Sequence, residues 1–263
     1  MKGSDSMAES KLKIDMRRRK ILEQLCADGK VSVSRLAADL GATPVTIRND
    51  LTALERDGYL VRMQGGAVRA PRPEAHFVSS TRSSSAQQKQ ALAAEVAKLV
   101  TDGQTLFFNS GTTTLHIALA LKEKKHLNIV TNSLLIAMEL GDIPTFHVLL
   151  LGGEINTSYS FTSGGDTQEQ LSKYRADWAI LSVDGVSAQG GITTCHPEEA
   201  IIDRLMMANA RRRLIAATGD KIGRAGFSRI CDSDDQLCLI TDSTCSRDAL
   251  QDLQEHGVQI TKV

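Results

Sequence analysis

Thr43-Pro44-Val45-Thr46-Ile47-Arg48-Asn49-Asp50-Leu51 reads as the start of an amphipathic helix. Thr43 is a suitable N-cap, and Pro44 suits the first helical turn, where its missing N–H costs nothing. Ile47, Leu51 and Leu54 recur at i, i+4 and i+7 and draw one apolar stripe. With that stripe inward, helical geometry puts Val45, Asn49, Thr52 and Arg56 on the outer side and Thr46 and Arg48 on its flanks. The outer face is small, hydrogen-bonding or cationic, the chemistry that meets base edges and phosphates.

The neighbouring segments fit. Arg17 to Ala27 is basic and amphipathic, with Ile21, Leu22 and Leu25 as its apolar positions and Gly29 closing it. Ser32 or Ser34 can cap a short helix carrying Leu36, Ala37 and Leu40, and Gly41 turns the chain into the Thr43 helix. Helix, glycine turn and helix form a helix-turn-helix. Two β-like runs then flank Gly65-Gly66, a hairpin signal, so that a wing would offer Arg62, Gln64 and Arg69 to phosphate. Charge agrees: residues 1–72 hold 14 Lys and Arg against 9 Asp and Glu, a net +5, and the remaining chain holds 17 against 22, a net −5. The overall zero hides a basic head on an acidic body, as expected of a chain that contacts nucleic acid at one end.

Several motifs resemble those of the DeoR-type bacterial sugar-metabolism repressors: Thr46-Ile47-Arg48-Asn49-Asp50-Leu51, Leu54-Glu55 and Arg62-Met63-Gln64-Gly65-Gly66-Ala67. Many members carry Arg in place of Asn49 and His in place of Gln64. The Asn49 variant resembles the amino-sugar branch, such as repressors of N-acetylgalactosamine pathways.

The chain has 263 residues, 41% hydrophobic and 4% aromatic, enough for an aliphatic, Ala-rich core in one large or two smaller domains. Met1 to Ser10 is polar and lacks a signal-peptide core, and no apolar run reaches the roughly 18 residues of a membrane span. Five cysteines without a C-x-x-C pair suit reduced thiols in a cytoplasm. Cys195-His196 is the one adjacent pair of soft ligands and reads as structural, so neither a metal nor a cofactor is expected. The expected division is a tail over 1–14, a winged helix-turn-helix over 15–70, a linker over 71–88 rich in Pro, Ser and Thr, and an αβ domain over 89–263.

In that last part, apolar strand candidates at Thr105–Asn109, Asn128–Thr131, Phe146–Leu151, Trp178–Val183, Leu214–Ala217, Leu237–Thr241 and Val258–Ile260 alternate with Ala- and Leu-rich helical patterns at Ala91–Val100, Leu115–Leu121, Leu134–Leu140 and Ala200–Ala210. The alternation predicts a mainly parallel sheet covered by helices, with ligands bound beyond the carboxyl ends of its strands. Three such ends carry small, hydroxyl or glycine residues: Asn109-Ser110-Gly111-Thr112-Thr113-Thr114, Thr131-Asn132-Ser133 and Gly152-Gly153 before Glu154. Hydroxyls and helix N-terminal N–H groups there would hold a phosphate and a polyol.

This half also resembles the DeoR-type effector domain, through Ser110-Gly111-Thr112-Thr113, Val130-Thr131-Asn132, Gly152-Gly153-Glu154, Val183-Asp184-Gly185 and Lys221. The resemblance implies a fold like that of sugar-phosphate isomerases and a phosphorylated-sugar effector. Asp184 and Glu199 would bond sugar hydroxyls and Lys221 would neutralise the phosphate. The family often has Asp at Asn109 and an Asp-x-Ser-Lys run where this chain has Thr218-Gly219-Asp220-Lys221. The rival reading is an isomerase with an appended DNA-binding head. Isomerisation needs a placed base and acid. Where ribose-phosphate isomerases keep a carboxylate-rich Asp-Gly-Ala-Asp-Glu run, this chain has Asp184-Gly185-Val186-Ser187-Ala188, with one carboxylate left. The expectation is therefore a cytoplasmic, effector-controlled repressor that binds double-stranded operator DNA as a homodimer or homotetramer.

Overall fold

The computed structural model describes residues 16–69 and 84–263, apart from 19, 23, 26, 27, 57, 58 and 158; the side chains of Arg56, Arg69 and Ser84 also lie outside the described set. The expected tail (1–14) and most of the expected linker (71–83) fall outside it as well. The chain divides into two compact units, 1–76 and 77–263.

In the first unit, helical residues within 16–28 lead to strand β1 (Lys30–Ser32), helix α1 (Val33–Asp39) and helix α2 (Pro44–Arg56), then strands β2 (Leu60–Met63) and β3 (Gly66–Arg69). Ser32 Oγ accepts from Arg35 N at 3.2 Å and caps α1. Gly41 at φ +59° makes the turn, and Thr43 Oγ1 accepts from Thr46 N at 3.1 Å and caps α2. Ile47, Leu51 and Leu54 pack with Ile21, Leu25, Leu36, Leu60 and Ala67 in one core. The antiparallel β2–β3 turn is centred on Gln64-Gly65, one residue earlier than the glycine pair suggests, because Met63 pairs with Gly66. Gly66 instead lies against β1, where a Cβ would come within 2.0 Å of Val31 O. β1 thereby adds a third strand, in the order β1-β3-β2, that the sequence reading lacked.

The second unit begins with helix α3 (Ser84–Leu99), so residues 84–88 of the expected linker are helical. Seven strands form one parallel sheet: β4 (Thr105–Phe108), β5 (Asn128–Thr131), β6 (His147–Leu150), β9 (Ala176–Leu181), β12 (Ala210–Ala216), β14 (Leu237–Thr241) and β15 (Gln259–Lys262). Their order is β15-β14-β12-β9-β4-β5-β6. Alternation along the strands sends Leu106 and Phe108 to one face and Phe107 to the other. The first face packs under α3, α4 (Thr112–Ala120) and α5 (Leu134–Gly141); the second under α6 (Gly165–Ser172), α7 (Pro197–Ala208) and α8 (Arg247–Glu255). A sheet buried on both faces reads as apolar runs rather than as alternation, which is why these strands are visible in the sequence. The hairpin β7 (Glu154–Asn156) with β8 (Phe161–Ser163), and the small sheet β10 (Gly185–Ser187), β11 (Gly191–Thr194) and β13 (Ser228–Cys231), are additions to that reading.

The chain starts the sheet at β4, builds outward through β5 and β6, then returns to β9 on the other side of β4 and builds away through β12, β14 and β15. The crevice beyond the carboxyl ends of β4 and β9 is therefore the point where strand order reverses, the favoured ligand position in such sheets.

Candidate DNA-binding and effector sites

On α2, Ile47 and Leu51 are fully buried, which turns Val45 (62% exposed), Arg48, Asn49 and Thr52 outward together with Thr43. Thr46 is half-buried, its hydroxyl 2.8 Å from that of Thr43. Two of the expected contacts are joined to each other: Arg62 Nη1 donates to Thr52 Oγ1 at 2.9 Å, and Thr52 Oγ1 donates to Arg48 O at 2.8 Å. Arg62 N also donates to Glu55 Oε1 at 2.7 Å. Arg62 thus ties the wing to α2 instead of standing clear of it. Gln64 is exposed at the tip of the wing. The side chains of Arg56 and Arg69 lie outside the described residues.

The sequence reading passed over Asp50. Its carboxylate is nearly buried and accepts from Arg17 Nε at 2.5 Å and Arg18 Nε at 3.1 Å. This tie fixes the entering basic helix against α2. The neighbouring Arg17-Arg18 and the inward position of Asp50, next to Leu51, are the signals that could have revealed it.

In the second unit the strand ends separate into residues that hold the loops and residues that face one another across the crevice. Asn109 is buried: its Oδ1 accepts from Ser182 N at 3.0 Å, while Nδ2 donates to Ser182 O at 2.9 Å and to Asp203 Oδ2 at 3.0 Å. Thr114 Oγ1 is spent on Asn109 O and Gly111 O. Gly111, at φ +152°, lies so close to β9 that a Cβ would meet Ser182 Oγ at 2.1 Å. Thr131 Oγ1 donates to Phe108 O and accepts from Ser133 N, Asn132 Nδ2 donates to Thr162 O, and Ser133 Oγ caps α5. Gly152 N and O are both taken by α6, through Gln170 and Thr167, and Gly153 packs against Thr167. Asn109, Thr114, Thr131, Ser133 and Gly152 thus engage polar groups within the fold, while Asn132 Oδ1 is buried with no partner among the described residues. Short hydroxyl and amide side chains in βα turns satisfy backbone groups first.

A different set converges. Ser110 Oγ donates to Glu199 Oε1 at 3.1 Å, and Thr194 Oγ1 lies 2.9 Å from Glu199 Oε2 and 3.2 Å from Asp184 Oδ2. Asp184 Oδ2 also accepts from Cys195 N at 2.8 Å, and Lys221 Nζ stands 4.0 Å from Asp184 Oδ1. Burial pushes the Glu199 carboxyl above its ordinary range, with His196 opposing and Asp184 adding to the rise. Burial and Glu199 push Asp203 well above. Beside this network α4 opens at Gly111 with no side-chain cap, next to exposed Thr112 and buried Thr113. Its first N–H groups and helix dipole favour an anion.

Lys89 on α3 also belongs to this region. Burial and the Lys221 charge lower its pKa, and Lys89 in turn lowers that of buried His116 on α4, after burial itself. Gln88 Nε2 donates to Asp242 Oδ1 at 3.2 Å, which brings the start of α3 to the end of β14. In the sequence Lys89 is one of two lysines in a helix far from the loops, and no local pattern distinguishes it.

Two family descriptions match the chain: a DeoR-like helix-turn-helix domain over residues 17–72 and a DeoR C terminal sensor domain over residues 84–243. A relative from Escherichia coli O157:H7, named for repression of an aga operon, is 28% identical over 267 residues, covering 100% of this chain and 99% of its own. The glycerol-3-phosphate regulon repressor of Escherichia coli strain K12 is 27% identical over 249 residues, 95% of this chain and 99% of its own. Among solved structures, ribose 5-phosphate isomerase A from Methanocaldococcus jannaschii overlaps 52% of this chain and 55% of that one, at 19% identity and a TM-score of 0.36.

Proposed function

The chain belongs to the DeoR family of transcriptional regulators, and from that premise we propose that it represses a carbohydrate-utilisation operon under the control of a phosphorylated sugar. The observation that carries the effector half is the uncapped start of α4 beside the Ser110–Glu199–Thr194–Asp184–Lys221 network. Donors and cations suit a phosphate, and paired carboxylates and hydroxyls suit the hydroxyls of a sugar. Lys221 and Lys89 supply the positive charge; Ser110, Thr112 and Thr113 supply donors; Asp184 and Glu199 accept. The names of the relatives support both parts, one pointing to an aga operon and one to a glycerol-3-phosphate regulon. An amino-sugar phosphate is therefore the first effector to try.

On DNA, Arg48 reaches a phosphate or a guanine edge, Asn49 reads adenine through its amide, and Val45 offers an apolar contact to a thymine methyl. Gln64 adds a contact from the wing. One winged head makes a small interface, so the working form is a homodimer or homotetramer whose symmetry matches its operator. The effector acts by binding the DNA-competent and DNA-incompetent states with different affinity. No helix among the described residues is long and apolar enough to cross a membrane, and the protein acts in the cytoplasm, where its operator lies.

The test is a thermal-shift screen of the purified chain against phosphorylated sugars, including amino-sugar phosphates, with the free sugars as controls. A ligand bound to the native state raises the midpoint in proportion to ln(1 + [L]/Kd). A shift with a phosphosugar that also releases operator DNA supports the reading. A shift with free sugars alone overturns the phosphate assignment.

A further inference from the structure

The β7–β8 hairpin lies outside the main sheet, and its connection carries Tyr159 and Ser160. Ser160 is buried at φ +55°, a left-handed conformation that side-chain-bearing residues adopt only when their surroundings impose it. The surroundings do so: Ser160 O accepts from Leu134 N at 2.9 Å, and Phe161 forms a bridge with Ser133. The hairpin is thereby docked on the loop that follows β5. Tyr159, whose N donates to Asn156 Oδ1, meets two other rings. Fully buried Phe161 is stacked with it at a centroid distance of 6.4 Å, and His196 meets it at 4.4 Å with a 51° tilt. His196 N donates to Thr194 Oγ1 at 3.4 Å, the hydroxyl that serves Glu199 and Asp184. The half-buried Tyr159–His196 pair therefore borders the polar network. Aromatics are scarce in this chain, and neither the phosphate contacts nor the DNA contacts use this pair.

We propose that Tyr159 and His196 form the wall against which the ring of the effector packs, so that the effector is a ring-closed sugar phosphate and not an open-chain polyol phosphate. The inference rests on the reading of the β4 and β9 strand ends as a phosphosugar site. A pyranose or furanose presents a face of C–H groups that an aromatic surface complements, while its hydroxyls project from the edge toward Ser110, Asp184 and Glu199. A three-carbon polyol chain has no such face. The stacking of Tyr159 on buried Phe161 and the imposed conformation of Ser160 fix the wall before ligand arrives, which spares the cost of ordering it on binding.

The experiment is titration calorimetry on the full chain with glucose 6-phosphate, galactose 6-phosphate, N-acetylgalactosamine 6-phosphate, glycerol 3-phosphate and inorganic phosphate. Wild type is compared with Tyr159→Ala and Tyr159→Phe, each first matched for circular dichroism and thermal midpoint. The expected result is wild-type preference for one of the ring phosphosugars over glycerol 3-phosphate. Tyr159→Ala then weakens that ligand about tenfold, leaves inorganic phosphate unchanged, and Tyr159→Phe retains most of the affinity. Equal binding of the ring phosphosugar by Tyr159→Ala and wild type overturns the aromatic wall alone, as does preference for glycerol 3-phosphate. Failure of the wild type to bind any phosphorylated probe or phosphate overturns the wall together with the site reading beneath it.

Discussion

The carboxamide of Asn109 closes both backbone polar groups of Ser182, accepting from its N–H at 3.0 Å and donating to its carbonyl at 2.9 Å. Asn109 directly follows β4 and Ser182 directly follows β9, so this one side chain ties together the two strand ends that flank the reversal of strand order. A carboxylate has no donor and cannot make the same set of bonds. Asn109→Asp loses both donated bonds and sets a second carboxylate beside Asp203. A buried unsatisfied group costs roughly 1–3 kcal/mol, so thermal unfolding of this unit is expected to fall by several degrees at pH 8. Acidification to pH 5 should restore part of the loss, because a shared proton replaces the missing donor. Asn109→Ala should show the loss without the recovery.

Asp203 predicts a pH dependence of the wild type. Burial first, and then the Glu199 carboxylate, raise its pKa well above the ordinary 3.8, against the opposing hydrogen bond from Asn109. The native state therefore keeps a proton that the unfolded chain releases above that value. Stability from this source is complete below the ordinary aspartate range and is lost as pH rises through the raised native value. Asp203→Asn keeps an oxygen acceptor for Asn109 and removes the titration. Its midpoint, followed by circular dichroism from pH 5 to 8, should vary less than that of wild type and exceed it at pH 8. Raised Glu199 acts in the same direction, so some slope should persist in the variant.

The parallel sheet was legible because its strands are continuous apolar runs, and the seven candidates from Thr105 to Ile260 all pair in it. The recognition helix was legible because its cap, its glycine turn and its i, i+4, i+7 stripe are all local. What escaped depends on partners distant in sequence. β1 is a strand only because Gly66 lets it approach, and the β7–β8 and β10–β11–β13 pieces are too short to carry a period. At the site, composition identified the polar strand ends but not which hydroxyls are consumed by the backbone. Thr131 and Ser110 look alike as sequence. One is bonded inward to Phe108 O and the other reaches Glu199 from a segment 89 residues away.

Asp50 should be needed for the first unit's integrity. Arg17 and Arg18 retain 18% and 31% of their side-chain exposure, so both can recruit water if Asp50 is lost. The cost of Asp50→Ala is then about 2 kcal/mol, below the 3–5 typical of a fully buried pair. The expected outcome is weaker operator binding with raised protease sensitivity in this unit, and an unchanged response of the second unit to its effector. Asp50→Asn, which can still accept one of the two bonds, should fall between. Operator binding equal to wild type in Asp50→Ala, with normal protease resistance, would show that the tie does not hold the entering helix in place.

Arg48 tests the DNA-binding face itself. It is exposed on α2, and its carbonyl, not its guanidinium, is engaged by Thr52. Truncation should therefore cost little stability while removing a contact to DNA. If the guanidinium meets a phosphate, Arg48→Ala should weaken every sequence alike and reduce the slope of log K against log salt by about one. If it meets a guanine edge, the loss is about 1–3 kcal/mol on operator and much less on unrelated DNA. Fluorescence anisotropy at several salt concentrations, with operator and scrambled duplexes, separates the two outcomes. Arg62→Ala is the informative partner. Its guanidinium donates to Thr52, so it should act by loosening the wing from α2 and should lower the affinity of Asn49→Ala less than additively. Wild-type affinity in Arg48→Ala would mean that DNA meets another face of this unit.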